Sequence, residues 1–197
     1  MNGLKIIHWS LIFLVLMTAQ VLQAKDDYDF RQVRWSMTME EVKKAEPQLI
    51  LKNEDPRGLL TYELSMYGEK FDLNYDFDQE TKLLGQITLY NPKPIEDPDR
   101  AATLNKQLKN FFIEQYGQPY QDEIQNYLDN SQAIDEASLG RFVLNGDAVV
   151  LAFWDAEKTD MAYMMLGGDS GINIVAALIR QTKPPEQRRQ SLNPGPN

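Results

Sequence analysis

Asp72, Asn74, Asp76 and Asp78 stand at alternate positions and carry the D-x-N-x-D spacing with which a calcium loop begins. Such a loop also needs Gly at its sixth position and an acid at its twelfth. Here those positions are Phe77 and Leu83, and apolar residues lie between the acids. The polar side of a β-strand accounts for the row, with a weak surface cation site the most it allows. Carboxylate pairs recur at Asp122/Glu123, Asp135/Glu136 and Asp155/Glu157. Glycoside hydrolysis needs two carboxylates across a cleft, one of them with a raised pKa. A chain with 29 acidic residues supplies adjacent pairs by chance. Gly167-Gly168-Asp169-Ser170-Gly171 has the composition of a phosphate-cradling loop, but such a loop leads into a helix N-terminus. This one leads into Ile172-Asn173-Ile174-Val175, so it reads as a turn between strands.

The chain has no cysteine, and its one histidine, His8, lies in the N-terminal apolar region. Downstream of that region there is no imidazole base, no thiol, no disulfide and no ordinary zinc ligand set. Ser-His-Asp and Cys-His catalysis are thereby excluded. No catalytic, cofactor-binding or metal residue is assigned, no cofactor is expected, and binding residues are unknown at this level. Tyr62, Tyr67, Tyr75, Trp154 and Tyr163 fall in or beside expected strands. Each is either core filling or an interface anchor.

The first 24 residues have the layout of a secretory signal peptide. Lys5 precedes the apolar stretch Leu11–Met17, and the small Ala24 precedes the charged Lys25-Asp26-Asp27. Cleavage after Ala19 is the alternative, because Leu22 is bulky for the third position before the cut. His8, Ser10, Thr18 and Gln20 interrupt what a membrane anchor would need, about 20 mostly apolar residues. No cysteine follows for lipid attachment, so the expected product is soluble and periplasmic or secreted. Without Lys5, the remaining 19 basic and 29 acidic groups leave a net charge of −10. That balance, with no basic cluster among aromatics, argues against nucleic acid and anionic lipid as partners.

The elements follow from capping and periodicity. Thr38 and Glu41 form a capping box, with Met37 and Val42 at hydrophobic-staple positions, opening a helix that stops at Pro47. Arg31, Val33 and Trp35 alternate before it, as an extended arm would. Leu60, Tyr62, Leu64 and Met66, then Phe71, Leu73, Tyr75 and Phe77, alternate around Gly68 as a β-hairpin. Asp78 to Lys82 is a polar turn and Leu83 to Tyr90 a further strand. Asp97 and Pro98 start a second helix with Leu104, Leu108, Phe111 and Phe112 on one face, closed by Gly117 and Pro119. After an acidic segment, 122–136, Leu139–Leu144 reads as a strand entering an Asn145-Gly146 hairpin turn. Strands at 148–154, 161–166 and 172–179 follow, and 183–197 has the composition of a disordered tail.

Both halves thus read as a capped helix followed by antiparallel strands. Tyr75-Asp76-Phe77-Asp78, with Glu80 and Lys82, is locally similar to Phe153-Trp154-Asp155, with Glu157 and Lys158. The expected fold is α+β: tandem helix-plus-antiparallel-sheet units in lobes 25–94 and 95–182, helices on one face of the sheet, with one continuous sheet crossing both halves left open. The run Val33-Arg34-Trp35-Ser36-Met37-Thr38 with Glu41-Val42, and the helix ending Tyr116-Gly117-Gln118-Pro119, resemble segments of exported bacterial proteins. They are similar to the superfamily of BamE-like assembly lipoproteins and the β-lactamase inhibitory protein. Ser36 stands where Gly is usual in that pattern, and no binding residue transfers, because the shared residues cap helices. The resemblance implies an exported module that binds another envelope or secreted protein, as accessory factor or inhibitor. The alternative is a carboxylate-dependent hydrolase of extracellular or cell-wall glycans. An interaction surface predicts an open aromatic-bearing sheet face, and a hydrolase predicts facing carboxylates in a deep pocket.

Overall fold

The computed structural model describes residues 28–128 and 134–182, so the expected signal segment at 1–24 and the expected disordered tail at 183–197 lie outside the described residues. Helix α1 (Met39–Ala45) precedes four strands: β1 (Ile50–Asp55), β2 (Leu59–Met66), β3 (Glu69–Phe77) and β4 (Leu84–Tyr90). Then come α2 (Pro98–Tyr116), β5 (Gln121–Asn126), α3 (Leu139–Leu144), β6 (Ala148–Asp155), β7 (Thr159–Gly168) and β8 (Gly171–Arg180). All eight strands form one antiparallel sheet in the order β1-β2-β3-β4-β8-β7-β6-β5. Two meanders therefore meet at the β4–β8 pair, where Thr88 lies opposite Ala177.

Tandem helix-plus-sheet units are overturned by this arrangement. Strand accounts for 46% of the structure and helix for 21%. The helices do not divide as one per unit either: α1 spans 7 residues and α2 spans 19, with the six-residue α3 packed against α2. The local likeness of Tyr75–Asp78 to Phe153–Asp155 also falls at unlike places. The first ends β3 and leads to the central β4, whereas the second ends β6 and leads to β7.

Several local expectations hold. Thr38 Oγ1 accepts from the Glu41 N–H at 3.4 Å while the Glu41 carboxylate accepts from the Thr38 N–H at 2.8 Å. Asp97 caps α2 by accepting from the Asp99 and Arg100 N–H groups, and Gly117 ends it. Between β2 and β3, Tyr67 and Gly68 both have positive φ (52° and 81°), the requirement of a two-residue type I′ turn. Arg100 ties the start of α2 to that turn through the Glu69 carboxylate and the Tyr67 carbonyl.

Two local expectations are corrected. The arm around Arg31 is a folded strap: Phe30 and Val33 bridge across a turn, and both are fully buried. Trp35 then donates its indole N–H to Thr159 Oγ1 at 2.9 Å. Leu139–Leu144 is helical, with Leu139 and Val143 buried one turn apart. Its Asn145-Gly146 is a helix terminus rather than a hairpin turn. The Gly146 N–H reaches the Val143 carbonyl and the Asp147 N–H reaches the Phe142 carbonyl. That pair of bonds is a Schellman closure, which demands positive φ at the same glycine a type I′ hairpin would. Two other glycines admit α3 at close range. A Cβ on Gly140 would lie 1.9 Å from the Pro98 carbonyl oxygen, and one on Gly167 1.8 Å from that of Val143.

The core fills the space between the sheet and its covering elements. Phe112 of α2 meets Trp154 and Tyr163, each at 6.1 Å between ring centres. Tyr163 donates to Asn105 Oδ1 and Trp154 to the Gly117 carbonyl, so the buried polar tips are satisfied. Under α1, Glu46 is only 3% exposed and accepts from the Arg31 guanidinium (2.9 Å) and the Tyr75 hydroxyl (2.8 Å). Burial, and then Glu46 beside it, push the Tyr75 hydroxyl far above its ordinary range. No helix among the described residues is long and apolar enough to cross a membrane.

Candidate functional site

Successive side chains of a strand point to opposite faces of the sheet. On the covered face lie Ala148, Val150, Ala152 and Trp154 of β6, Met161, Tyr163 and Met165 of β7, and Ile172, Ile174, Ala176 and Leu178 of β8, all buried. The contacts of α1, α2 and α3 described above fall on this face. The other face is left open by these helices.

Cross-strand register fixes what that open face presents. One row reads Phe153, Ala162, Ala177 and Thr88; the next reads Leu151, Met164, Val175 and Tyr90. Val149 and Leu166 extend the apolar surface beyond the second row, and Ile179 extends it beyond the first. Met164 is 37% and Ile179 50% exposed, and Tyr120 at the rim packs against Phe153 at 6.3 Å. The apolar field crosses three strands and about five residues of each, roughly 10 Å by 13 Å between backbone positions. The alanine pair at its middle forms a low floor between larger side chains.

Acids border the field on three sides. Asp155 and Asp160 face each other across β6 and β7 at one end, and Glu123 of β5 lies opposite Leu151. On β3, beyond β4, stand Asp72 and Asp76. Asp160 accepts from the Gln181 side-chain amide. Burial, then the charges of Asp160 and Asp155, raise the Tyr120 hydroxyl. Among the described residues on this face, Lys52 holds Asp72 at 2.5 Å and Lys70 holds Glu63 at 2.7 Å.

The D-x-N-x-D row, expected as a solvated strand face, is only partly so. Asp76 is exposed, but Asp72 is buried beneath Lys52 and the Tyr90 hydroxyl. Asn74 Oδ1 between them is enclosed without a hydrogen bond. Asp78 turns away and accepts from the Glu80 and Thr81 N–H groups and the Thr81 hydroxyl, closing the loop to β4. No cluster of three or more acids able to hold a metal occurs among the described residues.

A cleft of about 340 Å³ opens beside α2, lined by Asn105, Lys109, Asp122, Ile124 and Glu136 among others. Two acids named in the sequence meet here, each paired with a lysine: Asp122 with Lys109 at 2.5 Å, Glu136 with Lys106 at 2.7 Å. Asp135 instead accepts from the N–H and hydroxyl of Ser138 in the turn ahead of α3. The loop Gly167–Gly171 is the turn joining β7 to β8, with Gly168 opposite Gly171.

Sequence reasoning passed over the open face, although its signal was present. Ala148–Trp154, Met161–Leu166 and Ile172–Ile179 are nearly continuous apolar runs with little alternation. Runs of that kind mark strands apolar on both faces. Of the aromatics singled out, Tyr62, Tyr75, Trp154 and Tyr163 are core, and Tyr67 occupies a turn. Aromatics of the open face include Phe153, Tyr90 and the rim residue Tyr120. No protein-family model, curated protein or solved structure matches the chain.

Proposed function

We propose that this chain is an exported binding protein of the bacterial cell envelope that docks another protein on the open face of its sheet. The observation that carries the reading is the apolar field of Leu151, Phe153, Met164, Val175 and Ile179, with its alanine floor. Exposed apolar surface rimmed by polar groups marks interaction sites, since leaving it in water is unfavourable. The supporting sheet is rigid: its covered side is filled by α2 and the aromatic cluster around Phe112. A preformed flat face costs little ordering on association. The export reading rests on the signal-like N-terminus, and the resemblance to envelope modules points the same way.

The test is site-specific photo-crosslinking in intact cells, using the full chain with a photoreactive residue at Met164 or at the exposed Lys44 of α1. A discrete envelope or secreted protein captured from position 164 and not from 44 is the expected result. Equal capture at both positions, or none from 164 with export verified by fractionation, refutes the reading.

A further inference from the structure

We infer that the cleft between α2 and β5 is a binding site for a small neutral polyhydroxylated ligand of the saccharide class. It lies on the helix-covered side of the sheet, so the inference is independent of the docking face. The observation that carries it is Asn105. This side chain stands in the cleft wall, is only 6% exposed, and is fixed from behind, its Oδ1 accepting from the buried Tyr163 hydroxyl at 2.9 Å. Its Nδ2 amino group has no hydrogen-bond partner among the described residues and is not among the enclosed unpaired atoms, so its two donors open on the cleft. A few rigidly placed polar groups of this kind are what orient a ligand in its pocket.

The rest of the wall decides the charge of the occupant. Lys109 donates to both oxygens of Asp122, at 2.5 and 2.6 Å, and Lys106 pairs with Glu136 at 2.7 Å. The two cations and two anions of the lining therefore cancel. A phosphate or carboxylate would have to draw Lys109 from Asp122, and an ammonium group would have to draw Asp122 from Lys109. Either leaves a charge without its partner, and a zwitterion would have to break both pairs. Hydroxyl groups leave the pairs in place. They accept from the Asn105 amino group and from the third N–H of Lys109, and they donate to the remaining carboxylate lone pairs. Ile113 and Ile124 supply apolar surface for the C–H faces of a sugar ring. At about 340 Å³ the cleft stands at the lower end of ligand pockets, roughly 300–1,000 Å³, which limits the occupant to a small molecule.

The test is NMR on the full chain with ¹⁵N-labelled asparagine, in which the side-chain NH₂ pair of Asn105 is the reporter. The probes are glucose, galactose, mannose, N-acetylglucosamine, maltose and N,N′-diacetylchitobiose, with inorganic phosphate and glycine as charged counterparts. At least one sugar should shift the Asn105 pair, with the same affinity at low and high salt, since no net charge is neutralised. Asn105→Asp keeps an acceptor for Tyr163 and replaces the donors by an acceptor. Ile124→Trp, at an exposed position of an edge strand, fills the cleft without entering the core. Each should weaken that sugar at least about tenfold, or about 1.4 kcal/mol, read by saturation transfer to the sugar. Ile124→Trp should do so with the thermal midpoint in place, and it decides the matter alone where Asn105→Asp fails to fold. If none of the sugars moves the Asn105 pair, the inference is overturned. It is overturned equally if phosphate or glycine moves the pair at lower concentration than any sugar, or if Ile124→Trp leaves sugar binding intact.

Discussion

Met164 and Met165 are neighbours on β7 and point to opposite faces, so one substitution at two adjacent positions weighs the two faces directly. Met165 is fully buried in the core, and Met164 is 37% exposed beside Leu151 and Val175. Met165→Ala removes transfer free energy and leaves a cavity, a loss of about 2–5 kcal/mol. Met164→Ala loses only cross-strand contact and some strand preference, about 1 kcal/mol or less. For a chain of this size each kcal/mol moves the thermal midpoint by about 2–4 °C. Met165→Ala should therefore lower it by roughly 5–15 °C and Met164→Ala by no more than about 4 °C. Paired urea and thermal denaturation of the two variants decide the matter. Equal losses at both positions would mean that something covers the open face, and the docking argument would lose its premise.

Gly140→Ala should destabilise by about 1–3 kcal/mol or more, because its Cβ would drive the α3 backbone off the Pro98 carbonyl. Gly85→Ala, with open space around it, should be neutral or raise the midpoint slightly; a thermal shift assay reads both. Thr38, Arg57, Thr81 and Ser138 hold Glu41, Asp55, Asp78 and Asp135 below their ordinary values, Asp55 at about 2. Depressed folded values give stability that is present above the unfolded values near 4 and lost as pH falls toward 2. The urea midpoint should accordingly fall between pH 5 and 2, and Asp55→Asn should shallow that decline; a flat profile contradicts the assignment. Burial raises Tyr75, Tyr116 and Tyr163, with Glu46, Asp29 and Asp122 adding to it. Raised folded values mean stability is intact below pH 10 and lost above it. In ¹³C-tyrosine NMR these three should ionise only as circular dichroism collapses, and earlier ionisation would refute their burial.

The parts legible in the sequence were those where local chemistry admits one answer. Thr38 with Glu41, and Asp97-Pro98 with Gly117, name helix ends, and the alternation from Leu60 to Phe77 names a hairpin. β1 and β5 were missed because both are edge strands. Ile50 and Leu51 are exposed, Gln121–Asn126 is almost wholly polar, and neither shows the alternation that one-sided burial imposes. α3 was misread because a six-residue apolar run satisfies both periods, and Asn-Gly serves a helix end as well as a hairpin. The single sheet could not be read locally at all. It depends on β4 pairing with β8, some 90 residues along the chain. The open face was missed for a different reason: two-sided apolarity was taken for ordinary core pattern, and only the positions of the helices show which side they cover.

That pairing also sets an order of assembly. The two strands at the middle of the sheet are the last members of their meanders, so β4, with Ile87 and Leu89, finds its second neighbour only when residues 175–179 arrive. During synthesis the first meander must wait with a raw central edge. That interval is when a sticky intermediate can pair with the wrong chain. A chain cut short before β8 would keep that edge indefinitely, so quality control has a late and well-defined checkpoint to monitor.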